Sequence, residues 1–136
     1  MGSIFSLLIN TPTKRIKYDD VSSITLSTTE GEVTILKNHL PMIANIDITP
    51  LKIVREDKEE IYALAVGVLK IDKDFQVTII VDTFERREDI DISRAEQKKI
   101  EAEEILAKKP EGREYKEAER TLKKSLLRIK LKSDIK

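Results

Sequence analysis

The densest group of side chains that could do chemistry lies in the segment FERREDIDISRAE, residues 84–96. Its carboxylates are Glu85, Glu88, Asp89, Asp91 and Glu96. Oxygen ligands in such a group could hold a divalent cation. Arginines are interleaved at positions 86, 87 and 94, however, which suits ion pairing and helix capping better. The local chemistry therefore favours a structural role for this segment.

Other catalytic chemistry has little support in the sequence. The chain has no cysteine and one histidine, His39, which excludes thiolate chemistry and a multi-histidine metal site. His39 lies in LKNHLP, where a turn residue is a better reading than a general base. The four glycines are scattered and form no phosphate loop, and there is no G-x-S-x-G elbow. We expect no catalytic residues, no metal site and no required cofactor, and a small enzyme on this scaffold is the least favoured function.

Composition limits the classes of partner. The 136 residues carry 25 basic and 25 acidic side chains, so net charge gives no argument for nucleic acid or direct membrane binding. Apolar runs such as ALAVGVL are too short to span a bilayer. The N-terminus shows no leader pattern and goes directly into a strand-like run. We expect a cytoplasmic protein that meets a membrane only through its partners.

The first part of the chain, up to about residue 85, reads as short strands separated by turn signals. In SSITLS, a period of two places Ile24 and Leu26 on one face. VTIIV is apolar throughout, which predicts a strand buried on both sides. Many short strands at this spacing predict a β-sandwich or a flattened barrel. The strand-like runs are Ile4–Ile9, RIKYDD, Ser23–Ser27, EVTIL, PMIANI, LKIVRE, IYALAV, VLKID and FQVTIIVD.

The period becomes helical after residue 90. Ser93 and Glu96 form an S-x-x-E capping box, with Asp91 as the alternative N-cap. The first helix should run to about Lys108, with Ala95, Ala102, Ile105 and Leu106 on one face. Pro110 and Gly112 then make a turn, and a second helix begins near Arg113. Its predicted apolar stripe is Tyr115, Ala118, Leu122, Leu126 and Ile129.

These patterns predict an α+β chain: an N-terminal antiparallel β-sandwich, residues 1–86, followed by a C-terminal antiparallel two-helix hairpin, residues 87–136. The first helix has a narrow stripe made largely of alanine, and small side chains contribute little on burial. The hairpin should therefore be the less stable half, with more than one packing accessible. Residues 113–136 hold nine Lys or Arg against four Asp or Glu, which fits a solvated face or a helix that meets an acidic partner.

Three segments in order resemble the epsilon subunits of F-type ATP synthases. The first is TEGEVTILKNHLPMI, where Gly31, Glu32, His39 and Pro41 match, although Thr34 replaces a usual glycine. The second is LAVGVLKI, where Gly67 remains of a glycine pair and Val66 replaces the other. The third is VDTFERREDIDISRA, residues 81–95, which is similar to the family's junction between its two domains.

The resemblance implies a non-catalytic accessory subunit of a rotary ATP synthase. In that family the sandwich docks on the gamma subunit and the c-subunit ring. The hairpin lies compact or extends into the alpha–beta hexamer and hinders ATP hydrolysis. This implies a peripheral place on the cytoplasmic face of a bacterial cell membrane. The resemblance also implies the residues that would face partners: Glu32, His39, Lys123, Lys124 and Arg128.

Some bacterial members of the family bind ATP near the domain junction. The residues that the resemblance brings to this role are Glu85, Ile90, Asp91, Arg94, Ala95, Lys124 and Arg128. Lys124 replaces an arginine of good binders and lacks its bidentate fork, and Glu101 falls where such binders carry another arginine. We therefore expect weak or absent ATP binding. The alternatives that stay open are a capped helix start with no ligand and a free-standing ATP-sensing module of the same fold.

Overall fold

The computed structural model describes residues 3–134 of the chain. The outermost residues of the two predicted domains, 1–2 and 135–136, lie outside the described part. The chain divides into two compact units, Met1–Arg86 and Arg87–Lys136.

The first unit is built from seven strands. Their order in the sheet is β1-β7-β6-β4-β2-β3, and β5 pairs with β2 and β6. Every pairing is antiparallel except that of β1 with β7, which is parallel. The predicted sandwich is confirmed, with this one parallel pair as the exception to its antiparallel pattern. The strands are β1 (Phe5–Asn10), β2 (Arg15–Thr28), β3 (Gly31–Ile35), β4 (Met42–Ile46), β5 (Thr49–Arg55), β6 (Lys58–Ile71) and β7 (Val77–Arg86).

Nine predicted runs become seven strands because two apparent breaks are absorbed inside longer strands. In β2 the register against β5 shifts between Val21 and Ser23, so a bulge joins RIKYDD to SITLS. In β6 the chain passes through Val66 at φ +52° without losing its register on β7. A bulge or one unusual residue lets a strand continue where composition suggests a turn.

Alternating apolar side chains form the core of this unit. Ile24 and Leu26 are both buried, as predicted. The prediction that VTIIV is buried on both sides is wrong, because Ile80 is 51% exposed while Ile79 and Val81 are buried. The outer face of β7 is therefore exposed to solvent at Ile80, where burial had been predicted from hydrophobicity alone. The largest fully buried side chains are Leu7, Ile9, Val21, Ile24, Leu26, Ile35, Leu51, Ile53, Leu64, Leu69, Ile71 and Ile79.

A polar network ties β2, β5 and β6 together beside the turn between β5 and β6. Arg55 donates from Nε and Nη2 to the two carboxylate oxygens of Asp20, at 2.8 and 3.2 Å, and from Nη1 to Glu60 at 3.0 Å. This fork of hydrogen bonds holds the pKa of the Asp20 carboxyl below its usual range. The Tyr62 hydroxyl donates to Glu60 and lies 3.1 Å from the Tyr18 hydroxyl. Burial, and then the contact with Tyr18, raise the pKa of Tyr62.

The second unit begins with a 3-10 turn, Arg87–Asp89, followed by helices α1 (Ile92–Ala107) and α2 (Gly112–Ser133). The two helices pack on each other as the predicted antiparallel hairpin. Lys108 ends α1, and its backbone N–H bonds back to the carbonyl oxygen of Ile105. Lys109 follows with φ +53°, and Gly112 starts α2 with φ +59°. Two residues with positive φ thus make the sharp reversal between the helices.

Candidate functional site

The start of α1 is set by Asp91. Its backbone is extended, and its side chain accepts a hydrogen bond from the Arg94 N–H at 3.1 Å. Its carbonyl oxygen accepts from the Ala95 N–H at 3.0 Å. Ser93 lies inside the first turn and is exposed, so the Ser93–Glu96 capping box is wrong and the alternative N-cap is confirmed. Both residue types cap helices well, and only the backbone course decides between them.

The residues suggested for nucleotide binding belong to three elements, namely the start of α1, helix α2 and strand β7. Ile90 and Ala95 are buried, whereas Asp91 and Arg94 are exposed at the start of α1. Lys124 and Arg128 are half-buried and one turn apart on α2. Glu85 belongs to the other unit, where it lies in β7 opposite Ala63 of β6. Within the hairpin, the Asp91 carboxylate is already used to cap α1, so nucleotide binding there would compete with helix capping.

The buried residues of α1 are small. In α1 the buried residues are Ala95 and Ala102, while Ile105 is 38% exposed and Leu106 is half-buried. The predicted shared face is therefore buried only at its alanines. Since an alanine offers one methyl group, α1 gives the hairpin little apolar surface to bury.

The predicted stripe of α2 is partly wrong. Tyr115 and Leu126 are 43% and 46% exposed. The buried residues of this helix are Ala118, Ser125 and Leu131. The fully buried Ser125 donates its hydroxyl to the Thr121 carbonyl oxygen at 2.8 Å, which satisfies it inside its own helix. Sequence reasoning missed Ser125 because a serine is not apolar, although its position seven residues after Ala118 placed it on the same face.

A shallow groove of about 490 Å³ runs between the helices near their connecting loop. Ala102 and Ala118 line it from the two helices, and Ile105 and Thr121 add to its walls. Charged residues surround it, namely Lys98, Glu101, Glu104, Lys108, Glu114 and Glu117. Glu101 thus contributes to an acidic rim beside the loop, which is a poor setting for a phosphate group.

The candidate partner-facing residues lie on separate surfaces. Glu32 is exposed on β3, an edge strand of the sheet. His39 is half-buried in the following loop, with Nδ1 2.8 Å from the Leu40 carbonyl oxygen. Lys123 is exposed on α2 and lies 3.8 Å from the Glu119 carboxylate.

Three exposed apolar residues lie close to His39 in sequence, and sequence reasoning did not predict their exposure. Leu36, Leu40 and Ile43 are 58%, 78% and 72% exposed. Leu36 directly follows β3, Leu40 lies in the loop, and Ile43 lies on β4, where it pairs with Lys70. Large exposed hydrophobic side chains of this kind are typical of surfaces that partners cover.

Two further findings bear on function. Between residues 3 and 134, no group of three or more histidine, aspartate or glutamate side chains is arranged to hold a metal ion. Neither helix of this described part is long and apolar enough to cross a membrane.

Both units match models of one protein family. The model described as the ATP synthase, Delta/Epsilon chain, beta-sandwich domain matches residues 4–87. The model described as the ATP synthase, Delta/Epsilon chain, long alpha-helix domain matches residues 88–133. A cryo-EM structure of the Euglena gracilis mitochondrial ATP synthase, OSCP/F1/c-ring in rotational state 1, holds a chain with the same fold. The TM-score is 0.75 at 21% identity, over 90% of this chain and 78% of that chain.

Bacterial relatives align over nearly the full length. The ATP synthase epsilon chain of Clostridium novyi is 39% identical over 132 residues, 96% of this chain and 99% of the relative. The ATP synthase epsilon chain of Ruminococcus albus is 34% identical over 127 residues, 93% of this chain and 95% of the relative. The chain therefore belongs to the ATP synthase delta/epsilon family, and within it to the bacterial-type epsilon subunits.

Proposed function

We propose that this chain is a non-catalytic part of the central stalk and that its hairpin is a brake on ATP hydrolysis. The observation that carries the brake is the small-residue interface of the hairpin. Its buried positions are Ala95, Ala102, Ala118, Ser125 and Leu131, and only Leu131 is a large side chain. A hairpin held this weakly can close and open at modest cost, which a reversible brake requires.

A rough magnitude supports two accessible states. A buried CH₂ or methyl group contributes about 0.8 kcal/mol, against about 1.5–3 kcal/mol for a whole leucine side chain. The four small residues therefore contribute about 3 kcal/mol, and Leu131 about 1.5–3 kcal/mol more, before the entropy of ordering is subtracted. States separated by a few kcal/mol are both populated enough to be selected by a partner.

The β unit suits the part of a fixed anchor. Its strands bury a continuous set of large aliphatic side chains. The hydrogen bonds of Arg55 also join the three strands β2, β5 and β6. We propose that this unit docks on the gamma subunit and the c-subunit ring. The apolar residues Leu36, Leu40 and Ile43 with His39 supply a candidate contact surface, with Glu32 nearby in sequence on β3. Membrane association would then come only through the complex.

The charge of α2 supports a partner with acidic loops. Residues 113–136 carry nine basic and four acidic side chains, and Lys123 is exposed. We propose that an open hairpin presents these cations, with Lys124 and Arg128, to the alpha and beta subunits. Charge complementarity of this kind governs encounter and specificity more than affinity.

Removal of the hairpin tests the brake. In a reconstituted complex, a chain ending at Asp89 should assemble and give faster ATP hydrolysis than the full chain, because the blocking element is gone. The full chain carrying Lys73→Gln is the control, since it keeps the hairpin and loses one exposed charge outside α2. If the shortened chain assembles and hydrolysis stays at the full-chain rate, the brake is contradicted while the anchor survives.

We also propose that ATP binds the isolated chain weakly. The Asp91 carboxylate is occupied by the Arg94 N–H, and Glu101 stands on the acidic rim between the helices. If the dissociation constant for ATP is above about 1 mM, then about 5 mM magnesium-ATP would stabilise the chain by about 1 kcal/mol or less. A melting scan with and without ATP measures this, with Arg94→Ala as the control. A stabilisation of about 3 kcal/mol or more that Arg94→Ala abolishes would contradict weak binding and favour an ATP-sensing module.

A further inference from the structure

The two ends of the hairpin are closed in different ways. At one end, residues 108–111 join the helices covalently. At the other, the end of α2 meets the 3-10 turn that precedes α1. Since the loop keeps its own end together, the helices must separate first at this second end, which we call the open end. Any side chain that bridges the open end therefore controls the first step of opening.

Within residues 3–134, a hydrogen bond of Lys132 bridges the open end. The Lys132 Nζ in the last turn of α2 donates to the Glu88 carbonyl oxygen in the 3-10 turn at 2.8 Å, across 44 positions of sequence. Lys132 is half-buried, and its neighbour Leu131 is buried. A bond from an ammonium group is stronger than one between neutral groups.

The same turn of α2 contains a matched lysine without this bridge. Lys130 is exposed, and both lysines lie in the last turn, where a positive charge favours the helix dipole. Removal of either side chain's charge therefore has the same effect on the helix dipole and on net charge. Any difference between them isolates the bridge to Glu88.

We propose that Lys132 is a latch: its bond to the Glu88 carbonyl keeps the open end of the hairpin closed, and its release starts opening. The regulatory role of the latch rests on the proposed function. The latch itself does not, because it is a property of the isolated chain. Lys132 acts through the position of the helices and touches no reacting group. The bond of Lys132 would set the fraction of chains whose hairpin is open and able to slow hydrolysis.

Hydrogen exchange at named backbone amides tests the latch in the full chain. The reporters at the open end are the N–H groups of Ile90, Arg94 and Ala95, which bond to the Arg87 carbonyl, the Asp91 carboxylate and the Asp91 carbonyl. The reference amides at the loop are those of Lys108 and Lys109. Lys132→Met should speed exchange at the open end about tenfold and leave the loop amides unchanged. Lys130→Met should change neither, and Lys132→Arg should restore most of the protection because it keeps N–H donors and charge.

Two outcomes would overturn the latch. One is equal exchange at the open end in Lys132→Met and Lys130→Met. The other is a rise at Lys108 and Lys109 as large as that at Ala95, since it would mean loss of the whole hairpin. Because no ATPase activity is measured, the latch can fail while the brake stands, and the brake can fail while the latch stands.

Discussion

Replacing Gly67 with alanine is expected to destabilise the β unit by about 3 kcal/mol. A Cβ at this position would lie 1.9 Å from the Ile80 carbonyl oxygen and 2.9 Å from its carbonyl carbon. It would also meet the Val81 Cγ1 at 2.7 Å. These are largely backbone atoms of β7, which pairs with β6 at this point, so no side-chain rotation relieves the clash. The strands must separate locally, and the hydrogen bonds between them weaken.

Urea denaturation followed by circular dichroism measures this effect, and the neighbouring residue supplies the control. Val66 adopts φ +52°, a conformation that costs a β-branched residue about 1–3 kcal/mol. Val66→Gly relieves that cost and loses a half-buried side chain, so we expect its stability to stay within about 1 kcal/mol of the parent. If Gly67→Ala is as stable as Val66→Gly, the close approach of β6 and β7 at Gly67 is contradicted.

The second large effect is expected at the centre of the hairpin. Ala118→Leu adds three carbon atoms at a buried position that faces the groove between the helices. Overpacking of this kind costs about 1–3 kcal/mol, which lowers the closed population relative to the open one by about 5- to 150-fold. Most of the stability of a protein helix comes from packing of its apolar face, so opening should also reduce helix content.

Exchange protection of the amides in α1 and α2 measures the loss of closure. Lys116→Leu is the matched control, since it adds leucine to the same helix at an exposed position. We expect protection to fall in Ala118→Leu and to stay near the parent in Lys116→Leu. Equal protection in the two variants would mean that the space around Ala118 accommodates a leucine, and the weak, small-residue interface would then be the wrong description.

The predictions from sequence succeeded where local pattern and burial agree. The period of two in SSITLS gave the buried pair Ile24 and Leu26, and the alternative N-cap Asp91 gave the start of α1, although the Ser93–Glu96 capping box was wrong. They failed where the backbone decides the outcome. Neither the bulge in β2 nor the positive φ of Val66 has a residue signature, so two long strands were read as four short ones.

The surfaces were harder to predict than the core. Tyr115 and Leu126 fit an apolar stripe but are half-exposed, whereas Ser125 is fully buried. Which face of α2 is buried depends on how α2 packs against the small side chains of α1. The periodicity of α2 alone carries no information about that neighbour. The exposure of hydrophobic residues such as Leu40 was also not predicted. Hydrophobicity in a sequence predicts burial, and a surface that binds a partner is an exception to this.

We propose that the hairpin must open to slow hydrolysis. A reversible covalent lock between its two helices tests this requirement directly. The chain has no cysteine, so Ala102→Cys with Ala118→Cys introduces one pair, from residues that line the same groove on the two helices. Small side chains let helix backbones approach, as a disulfide requires. Hydrolysis by a complex carrying this chain is measured oxidised and then reduced, with each single-cysteine chain as the control. We expect fast hydrolysis with the hairpin locked and slow hydrolysis after reduction, whereas equal inhibition in both states would mean that the hairpin need not open to inhibit.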